Sequence, residues 1–282
     1  MYQYNDDSLM LHNDLYQINM AESYWNDGIH ERIAVFDLYF RKMPFNSGYA
    51  VFNGLKRVVN FIENFGFTNE DITYLKSIGY EEDFLNYLKD LKFTGNIKSM
   101  QEGEICFGNE PLLRVEAPLI QAQLIETILL NIINFQTLIA TKASRIRQIA
   151  THDTLMEFGT RRAQEIDAAL WGARAAFIGG FDSTSNVRAG KLFNIPVSGT
   201  HAHALVQTYG DEYIAFKKYA ERHKNCVFLV DTFHTLKSGV PTAIKVAKEL
   251  GDTINFIGIR LDSGDIAYLS LIHISEPTRQ EA

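Results

Sequence analysis

The sequence is poor in cysteine, and it lacks a leader-like start. Its 282 residues hold two cysteines, Cys106 and Cys226, which lie far apart and in apolar surroundings. This usage excludes a disulfide-stapled secreted domain and predicts a reducing, cytoplasmic compartment with both thiols in the core. The first ten residues, "MYQYNDDSLM", carry acidic groups where a signal peptide has basic and apolar ones, so secretion is not indicated.

A basic surface and a long apolar run are also absent. The formal net charge is −7 and no run of Lys and Arg occurs, so we expect no nucleic-acid partner. The most apolar segment, residues 124–140, is interrupted by Glu126, Asn131, Asn134 and Gln136. It falls short of the roughly 20 apolar residues that a membrane span needs, so it is read as a buried helix and no membrane partner is expected.

What is present is an ordinary globular composition, 46% hydrophobic and 22% charged. The first half mixes helical and strand-like patterns, which predicts an N-terminal α+β domain over residues 1–150. The predicted elements are a helix from an Asn13 cap to Gly28, a strand from Arg32, helices over 51–65 and 81–91, two short strands around a turn at 109–111, and a long helix from Leu119 to about Ala150.

After residue 150 the pattern changes to short apolar runs, each followed by a small or polar turn. Five such runs end at Thr160, Ser185, Thr200, Thr232 and Asp265, with helical patterns between most of them. Alternation of strand and helix implies a parallel sheet. The predicted fold class is α/β, an irregular and incomplete α/β barrel over residues 151–270, although the spacing alone leaves a doubly wound fold open. In either fold the site lies at the carboxyl ends of the strands.

The last residues depart from this pattern. Residues 271–282, "LIHISEPTRQEA", resemble a translated sequencing adapter more than a protein element. We therefore expect a non-native tail there, native sequence ending near residues 267–270, and a barrel that lacks its last strands. A truncated chain without turnover is one hypothesis that follows from this expectation.

Polar residues follow every predicted strand and would converge on one rim. They are Arg161, Arg162, Asp182–Asn186, Ser198, Thr200, His201, His203, Asp231, His234, Arg260, Asp262, Ser263 and Asp265. Guanidinium groups and turn amides bind phosphate oxygens, and carboxylates bind Mg²⁺ or sugar hydroxyls. The mixture favours a phosphorylated substrate. A metal-dependent hydrolase that uses His201, His203, His234 and Asp262 is the alternative from a different class.

Six motifs, in order, resemble those of the nicotinate phosphoribosyltransferase family. They are "NDLYQ" (13–17), "EFGTRRA" (157–163), "STSN" (183–186), "GTHAH" (199–203), "LVDTF" (229–233) and "GIRLDSGD" (258–265). The resemblance implies an enzyme of NAD salvage that makes nicotinate mononucleotide from nicotinate and phosphoribosyl pyrophosphate. It also implies coupled ATP hydrolysis as in ATP-dependent ligases, ATP as co-substrate, Mg²⁺, and a homodimer with shared active sites. Nicotinamide and quinolinate enzymes are the nearest alternatives.

The resemblance implies that four residues bind the pyridine substrate. Tyr16 is expected to stack on the ring, from the neighbouring subunit, and Phe158 to cover the other face. Thr200 is expected beside nicotinate, and the guanidinium fork of Arg260 suits a carboxylate or a phosphate. Without the motifs, Tyr16 on an amphipathic helix reads as a core residue.

Further residues are assigned to the phosphoribosyl donor. Arg161 and Arg162 would bind its anionic groups, and Asp262, Ser263 and Asp265 its ribose hydroxyls or magnesium. No metal site of the protein's own is expected; Mg²⁺ would arrive with substrate, with Asp262 as its candidate protein ligand. Read without the motifs, the two arginines are a solvated pair, with Glu165 or Asp167 as a possible partner.

The resemblance implies different roles for the two neighbouring histidines. His203 stands at the position of the family's autophosphorylated histidine, whereas His201 is read as a bystander. His234 occupies a position where the family commonly has aspartate, and Asn13 one where it usually has threonine. The family's later glycine-rich phosphate-binding segment is not reached in these residues.

Overall fold

The structure, a computed structural model, describes residues 9–270 of the chain. The predicted tail at 271–282 lies outside the described residues. By compactness the chain divides at Ser198 and Gly199 into two units, unit 1 before this point and unit 2 after it. The proposed domains 1–150 and 151–270 use a different boundary and stay a prediction.

Helices make up most of the regular structure. The helices are α1 Leu15–Asn26, α2 Leu55–Glu63, α3 Asn69–Ser77, α4 Glu82–Asp90, α5 Leu119–Leu124, α6 Glu126–Ile149, α7 Glu165–Ile178, α8 Val187–Phe193, α9 His203–Tyr209, α10 Glu212–Arg222 and α11 Val240–Leu250. The strands are β1 Ile33–Leu38, β2 Ala50–Val51, β3 Asn96–Ser99, β4 Ile105–Cys106, β5 Leu113–Pro118, β6 Met156–Glu157, β7 Ser183–Thr184, β8 Asn225–Leu229 and β9 Asn255–Arg260.

An antiparallel sheet of order β1-β5-β3 organises the first part of unit 1. In its central strand β5, Leu113 and Val115 are buried and Arg114 points outward, the period of two that a half-covered sheet requires. Arg114 binds the Asp37 carboxylate on β1 through both Nε and Nη2, at 2.7 and 2.8 Å. The two strands predicted around residues 109–111 both form, but β4 pairs with β2 and β5 with β1 and β3.

The predicted Asn13 cap is wrong in its detail. Helix α1 begins one residue later, with Asp14 at the cap position and no side-chain cap bond. The Asn13 amide instead donates to the carbonyl of Leu124 at 2.6 Å. That bond lies where the predicted long helix from Leu119 breaks, at Ile125 between α5 and α6. A side-chain donor on a main-chain carbonyl competes with the helical hydrogen bond there, which explains the break.

The α/β class predicted for the second half is confirmed. Strands β6 and β7 are parallel, and Val197 extends them by a parallel bridge to Thr184. In unit 2, β8 and β9 are parallel. Among residues 9–270 these strands form separate parallel pairs rather than a closed barrel. The run that ends at Thr200 supplies only the Val197 bridge, not a full strand.

Helix α7 packs closely against α6 in unit 1. A Cβ added at Gly179, the C-cap of α7, would lie 2.4 Å from the Ala140 carbonyl oxygen, so this approach requires glycine. Because α7 follows residue 150 in the chain but packs on a helix that precedes it, the compact unit extends past that residue. This packing is the physical reason that compactness does not divide the chain at 150.

Unit 2 has a core of its own between the β8–β9 pair and its helices. Phe216 of α10 stacks on Phe228 of β8 with ring centroids 4.9 Å apart, and both side chains are fully buried. Val230 and Val246 complete the same cluster. These contacts fix the ends of β8 and β9, where the polar residues of the unit follow.

Candidate functional site

The carboxyl ends of β8 and β9 carry a polar cluster in unit 2. Asp231 and Thr232 come shortly after β8, while Arg260 is the last residue of β9 and is followed by Asp262. The third segment is the start of α9, where His203 is the first helical residue. Parallel strands present their carboxyl ends at one edge, which is why residues far apart in sequence meet here.

His203 lies at the centre of the cluster. Its Nδ1 atom is 3.0 Å from the Thr232 hydroxyl. Its Nε2 atom faces two carboxylates, 3.8 Å from Asp231 Oδ1 and 3.7 Å from Asp262 Oδ2. The side chain is 35% exposed, so the imidazole is held by the protein and still reachable by a ligand.

Asp231 is the most buried acid of this group. Its side chain is 2% exposed, and its Oδ2 atom accepts hydrogen bonds from the Asp262 N–H and the Ser263 hydroxyl, both at 2.7 Å. Its Oδ1 atom is buried with no hydrogen-bond partner among the described residues. The sequence placed Asp231 after a strand but assigned it no role; the signal was an acid directly following a buried apolar run.

Arg260 uses both ends of its guanidinium group. Nη1 donates to the Thr200 hydroxyl at 2.9 Å, and Nη2 donates to Asp262 Oδ1 at 2.7 Å. Thr200, Arg260 and Asp262, three of the predicted substrate-binding residues, are therefore in direct contact. Both bonds are charge-assisted and made by one planar group, so the guanidinium is oriented before any ligand binds.

Ser263 and Asp265 have structural partners. The Ser263 hydroxyl is bound to Asp231, and Asp265 Oδ1 accepts the N–H of Tyr268 at 2.9 Å, as a residue that starts a helical turn does. Between them Gly264 adopts φ +79°, which makes a tight turn possible. The structure thus brings Ser263 into the cluster and turns Asp265 toward the following backbone; their predicted substrate contacts stay predictions.

His201 and His234 each accept a hydrogen bond from a backbone N–H group through a ring nitrogen. His201 is buried, and its Nε2 accepts the N–H of Leu229 on β8 at 3.1 Å. Burial lowers the pKa of His201 below its ordinary value. His234 Nδ1 accepts the N–H of Lys237 at 3.2 Å and caps the π-helical turn Thr235–Gly239. This cap gives a physical reason for a histidine at position 234.

These contacts weigh against the metal-hydrolase alternative. Two of its four ligands, His201 and His234, already have a ring nitrogen bound to main-chain N–H groups. In the described part of the chain, no group of three or more His, Cys, Asp and Glu side chains is arranged to hold a metal ion. That hypothesis is not favoured.

Unit 1 holds the remaining predicted residues. Phe158 follows β6 and is partly buried, and the exposed Arg161 and Arg162 lie in the 3₁₀ turn Thr160–Arg162. The turn is anchored by Glu157, whose side chain accepts the Gly159 N–H and, at 2.7 Å, the Thr184 hydroxyl. Asp167, weighed as a partner for one arginine, is bound by Arg57 at 2.7 Å instead.

Tyr16 lies on the surface of unit 1, 48% exposed, rather than in the core. Its hydroxyl accepts a hydrogen bond from Gln17 Nε2 at 2.9 Å, and the same amide donates to Glu126 at 2.8 Å. Desolvation and the nearby Glu126 carboxylate raise the pKa of Tyr16. The ring is thus exposed to solvent, while its hydroxyl is hydrogen-bonded to Gln17.

An α/β fold with a guanidinium group, an imidazole, hydroxyls and carboxylates at its strand ends belongs to the class of α/β proteins whose ligand site lies at the carboxyl ends of the strands. Two sequence profiles specify the family. The profile of the nicotinate phosphoribosyltransferase N-terminal domain matches residues 11–134, and that of the nicotinate phosphoribosyltransferase family matches residues 154–274. The chain belongs to the nicotinate phosphoribosyltransferase family.

Curated relatives agree with this assignment. The nicotinate phosphoribosyltransferase of Bacillus subtilis is 68% identical over 270 residues, which cover 95% of this chain and 55% of the relative. The human protein of that name is 33% identical over 306 residues, 90% of this chain and 57% of the relative. The chain spans about half the length of the curated relatives it matches.

Solved structures show the same fold. Human nicotinic acid phosphoribosyltransferase superposes with a TM-score of 0.83 at 31% identity, covering 95% of this chain and 65% of that one. A nicotinate-nucleotide pyrophosphorylase from Pyrococcus furiosus gives 0.77 at 25% identity, covering 100% and 64%. Within residues 9–270, none of the helices combines the length and the apolar character needed to cross a bilayer.

Proposed function

We propose that this chain carries nicotinate- and phosphoribosyl-binding groups of a nicotinate phosphoribosyltransferase. The reaction is formation of nicotinate mononucleotide and pyrophosphate from nicotinate and phosphoribosyl pyrophosphate in NAD salvage, in a cytoplasmic compartment. The observation that carries the proposal is the Arg260 guanidinium group, which is fixed between Thr200 and Asp262, the same aspartate whose Oδ2 atom faces His203. The family membership and the 68% identical relative support it.

The proposed roles follow from charge. Displacing pyrophosphate builds positive charge at the anomeric carbon and negative charge on the leaving group, so fixed cations contribute most to catalysis. Arg260 is proposed to bind the nicotinate carboxylate or a phosphate, with Thr200 beside the ring. Arg161 and Arg162, exposed on a short turn, are proposed to bind the donor's phosphates. Asp262, Ser263 and Asp265 are proposed for its ribose hydroxyls.

Specificity for nicotinate is tested by comparing three acceptors. Product formation from phosphoribosyl pyrophosphate is measured with nicotinate, nicotinamide and quinolinate, and binding of each acceptor is measured by calorimetry in the presence of the donor and Mg²⁺. A guanidinium group favours a carboxylate over a neutral amide, so nicotinate is expected to be preferred. Preference for nicotinamide or quinolinate in both measurements contradicts the proposal.

His203 is proposed to accept a phosphoryl group from ATP, which would couple ATP hydrolysis to turnover as in an ATP-dependent ligase. The imidazole is partly exposed and already oriented by Thr232, as a nucleophile requires. Incubation with γ-labelled ATP is expected to give acid-labile label that His203→Ala abolishes and His201→Gln retains. Label that persists in His203→Ala would refute the assignment.

Mg²⁺ is proposed to enter with the phosphate groups of the substrates. The residues present fit such an ion, because Asp231 Oδ1 is a buried oxygen without a hydrogen-bond partner in residues 9–270, and the Asp262 carboxylate faces the same His203 nitrogen. Hard oxygen donors of this kind suit Mg²⁺, which usually keeps waters and phosphate ligands beside one or two carboxylates. When bound, the ion would neutralise the leaving diphosphate, with Asp262 as the candidate protein ligand.

A homodimer is proposed because Tyr16 is presented outward. Tyr16 borders a surface depression that also includes Tyr39 and Leu130. These three side chains are 48%, 45% and 44% exposed, and the charged side chains of Asp14, Arg41 and Glu126 line the same depression. A second copy covering it would bring Tyr16 to that copy's pyridine site, with Phe158 on the other face of the ring.

A further inference from the structure

Thr232 lies directly against His203. It follows Asp231 after β8, and its hydroxyl oxygen is 3.0 Å from His203 Nδ1, a normal hydrogen-bond distance. A threonine hydroxyl can donate or accept, and a neutral imidazole has one nitrogen of each kind. The direction of this hydrogen bond therefore depends on which ring nitrogen carries the proton.

The groups around His203 Nε2 determine which ring nitrogen carries the proton. Nε2 faces Asp231 Oδ1 at 3.8 Å and Asp262 Oδ2 at 3.7 Å. Ionised carboxylates only accept hydrogen bonds, and a nitrogen lone pair pointing at two of them is repelled. The favoured tautomer therefore carries its proton on Nε2. Its Nδ1 lone pair then accepts the O–H of Thr232.

The carboxylate next to Nε2 is itself held in place. Asp231 Oδ2 accepts two hydrogen bonds, from the Asp262 N–H and the Ser263 hydroxyl, each 2.7 Å long. The Asp231 side chain is 2% exposed, so it has little room to rotate. This arrangement leaves Oδ1 directed at His203, and the imidazole is bounded by a fixed acceptor on one side and a hydroxyl on the other.

We propose that Thr232 is a positioning residue that donates its hydroxyl hydrogen to His203 Nδ1 and so holds the imidazole as the Nε2–H tautomer. The inference rests on the proposed function in one respect, because it explains how the histidine proposed to accept phosphate is oriented. The tautomer and the hydrogen bond themselves are properties of the folded chain without any ligand.

The test is long-range ¹⁵N NMR of the ¹⁵N-histidine-labelled chain at a pH well above the ordinary pKa of imidazole. The His203 signals are assigned by their loss in His203→Ala. We expect Nε2 to show the resonance of a protonated nitrogen and Nδ1 that of a hydrogen-bonded, unprotonated one. A proton on Nδ1 of His203 would overturn the proposal, because Thr232 would then be an acceptor.

Two variants and a control isolate the hydroxyl. Thr232→Val keeps the shape and removes the donor, so the Nδ1 resonance is expected to move to that of a nitrogen without a hydrogen bond. Thr232→Ser keeps the donor and is expected to restore the original value. Thr208→Val removes an exposed hydroxyl elsewhere on α9, bound to the Ala204 carbonyl, and is expected to change nothing. An unchanged Nδ1 resonance in Thr232→Val contradicts the proposal.

A second readout uses ATP-dependent labelling of His203. In the Nε2–H tautomer the nucleophile is the Nδ1 lone pair, so the Thr232 hydroxyl turns away as Nδ1 bonds to the γ-phosphorus of ATP and ADP leaves, while Nε2–H stays facing the Asp231 carboxylate. Because Thr232 holds the ring in this tautomer, Thr232→Val is expected to lower the labelling rate about tenfold, with recovery in Thr232→Ser and little change in the KM for ATP. Equal labelling rates in Thr232→Val and the parent chain would contradict the positioning role. Absence of label in the parent chain would instead refute the phosphorylation proposed above, while the NMR result would still decide the tautomer and its donor.

Discussion

At the scale of single residues, Arg260 shows how one side chain can serve two purposes. Its fork binds the Thr200 hydroxyl and the Asp262 carboxylate at the same time, through different nitrogens. A planar group with donors at fixed angles makes both bonds with little loss of conformational entropy. Lysine has the same charge but a single, freely rotating point of contact.

Arg260→Lys is expected to weaken nicotinate binding by at least tenfold while the charge is conserved, because the fork geometry is lost. Isothermal calorimetry with nicotinate in the presence of phosphoribosyl pyrophosphate measures the change. Arg222→Lys, at the exposed end of α10, is the matched control and should bind as the parent does. Equal affinities in the two lysine variants would contradict the role given to Arg260.

His201 is expected to make the stability of the chain depend on pH. Burial lowers its folded pKa below the ordinary value near 6.5, so the unfolded chain binds this proton first as the pH falls. The stabilisation is fully present above that value and is lost as the pH falls toward the lowered folded pKa. Protonation would also remove the acceptor for the Leu229 N–H.

The variant His201→Gln tests this dependence. Its amide oxygen can still accept from Leu229 but does not titrate, so the loss of unfolding free energy between about pH 7.5 and about pH 5.5 should be smaller than in the parent. Urea unfolding at both pH values measures it. An identical pH dependence in the two proteins would show that His201 does not contribute.

At the scale of elements, the approach of α11 to β8 depends on one glycine. A Cβ at Gly239, in the π-helical turn before α11, would lie 1.8 Å from the carbonyl oxygen of Val230. No rotamer change relieves a clash between a Cβ and backbone. The same turn contains the Lys237 N–H that His234 binds, so a shift of its backbone would also move that contact.

Gly239→Ala is expected to lower the free energy of unfolding by about 2–3 kcal/mol, because the backbone of the turn must shift. Gly258→Ala, on β9, is the control, since a Cβ there meets no atom within 4 Å. Chemical denaturation of the three proteins measures the difference. Similar destabilisation by both alanines, or by neither, would contradict the packing argument.

At the scale of the whole molecule, unit 1 has a surface depression that includes the exposed side chains of Tyr16, Tyr39 and Leu130. Leu130→Glu places a charge there without disturbing a core. If a second copy covers this surface, the variant is expected to weaken self-association at least tenfold in sedimentation velocity. Ile149→Glu, at an 89% exposed position at the end of α6, should associate as the parent does. A parent chain that is monomeric at all concentrations would refute the dimer.

The sequence by itself determined the local chemistry. The alternation of apolar runs and turns after residue 150 predicted parallel strands, and β6–β7 and β8–β9 are parallel. It placed Arg260 and Asp262 at a strand end, where they are found, whereas Thr200 follows an isolated bridge at Val197 rather than a strand. These features depend on neighbours within a few residues, which is the range that side-chain periodicity reports.

Only the tertiary structure decided which groups meet. The pairing of β4 with β2, the break at Ile125 caused by Asn13, and the burial of Asp231 beside His203 all join residues far apart in the chain. Such contacts depend on packing and desolvation, which leave no period in the sequence. For the same reason, the sequence shows His234 only as a residue that differs from its family, whereas the folded chain shows that it caps a helical turn.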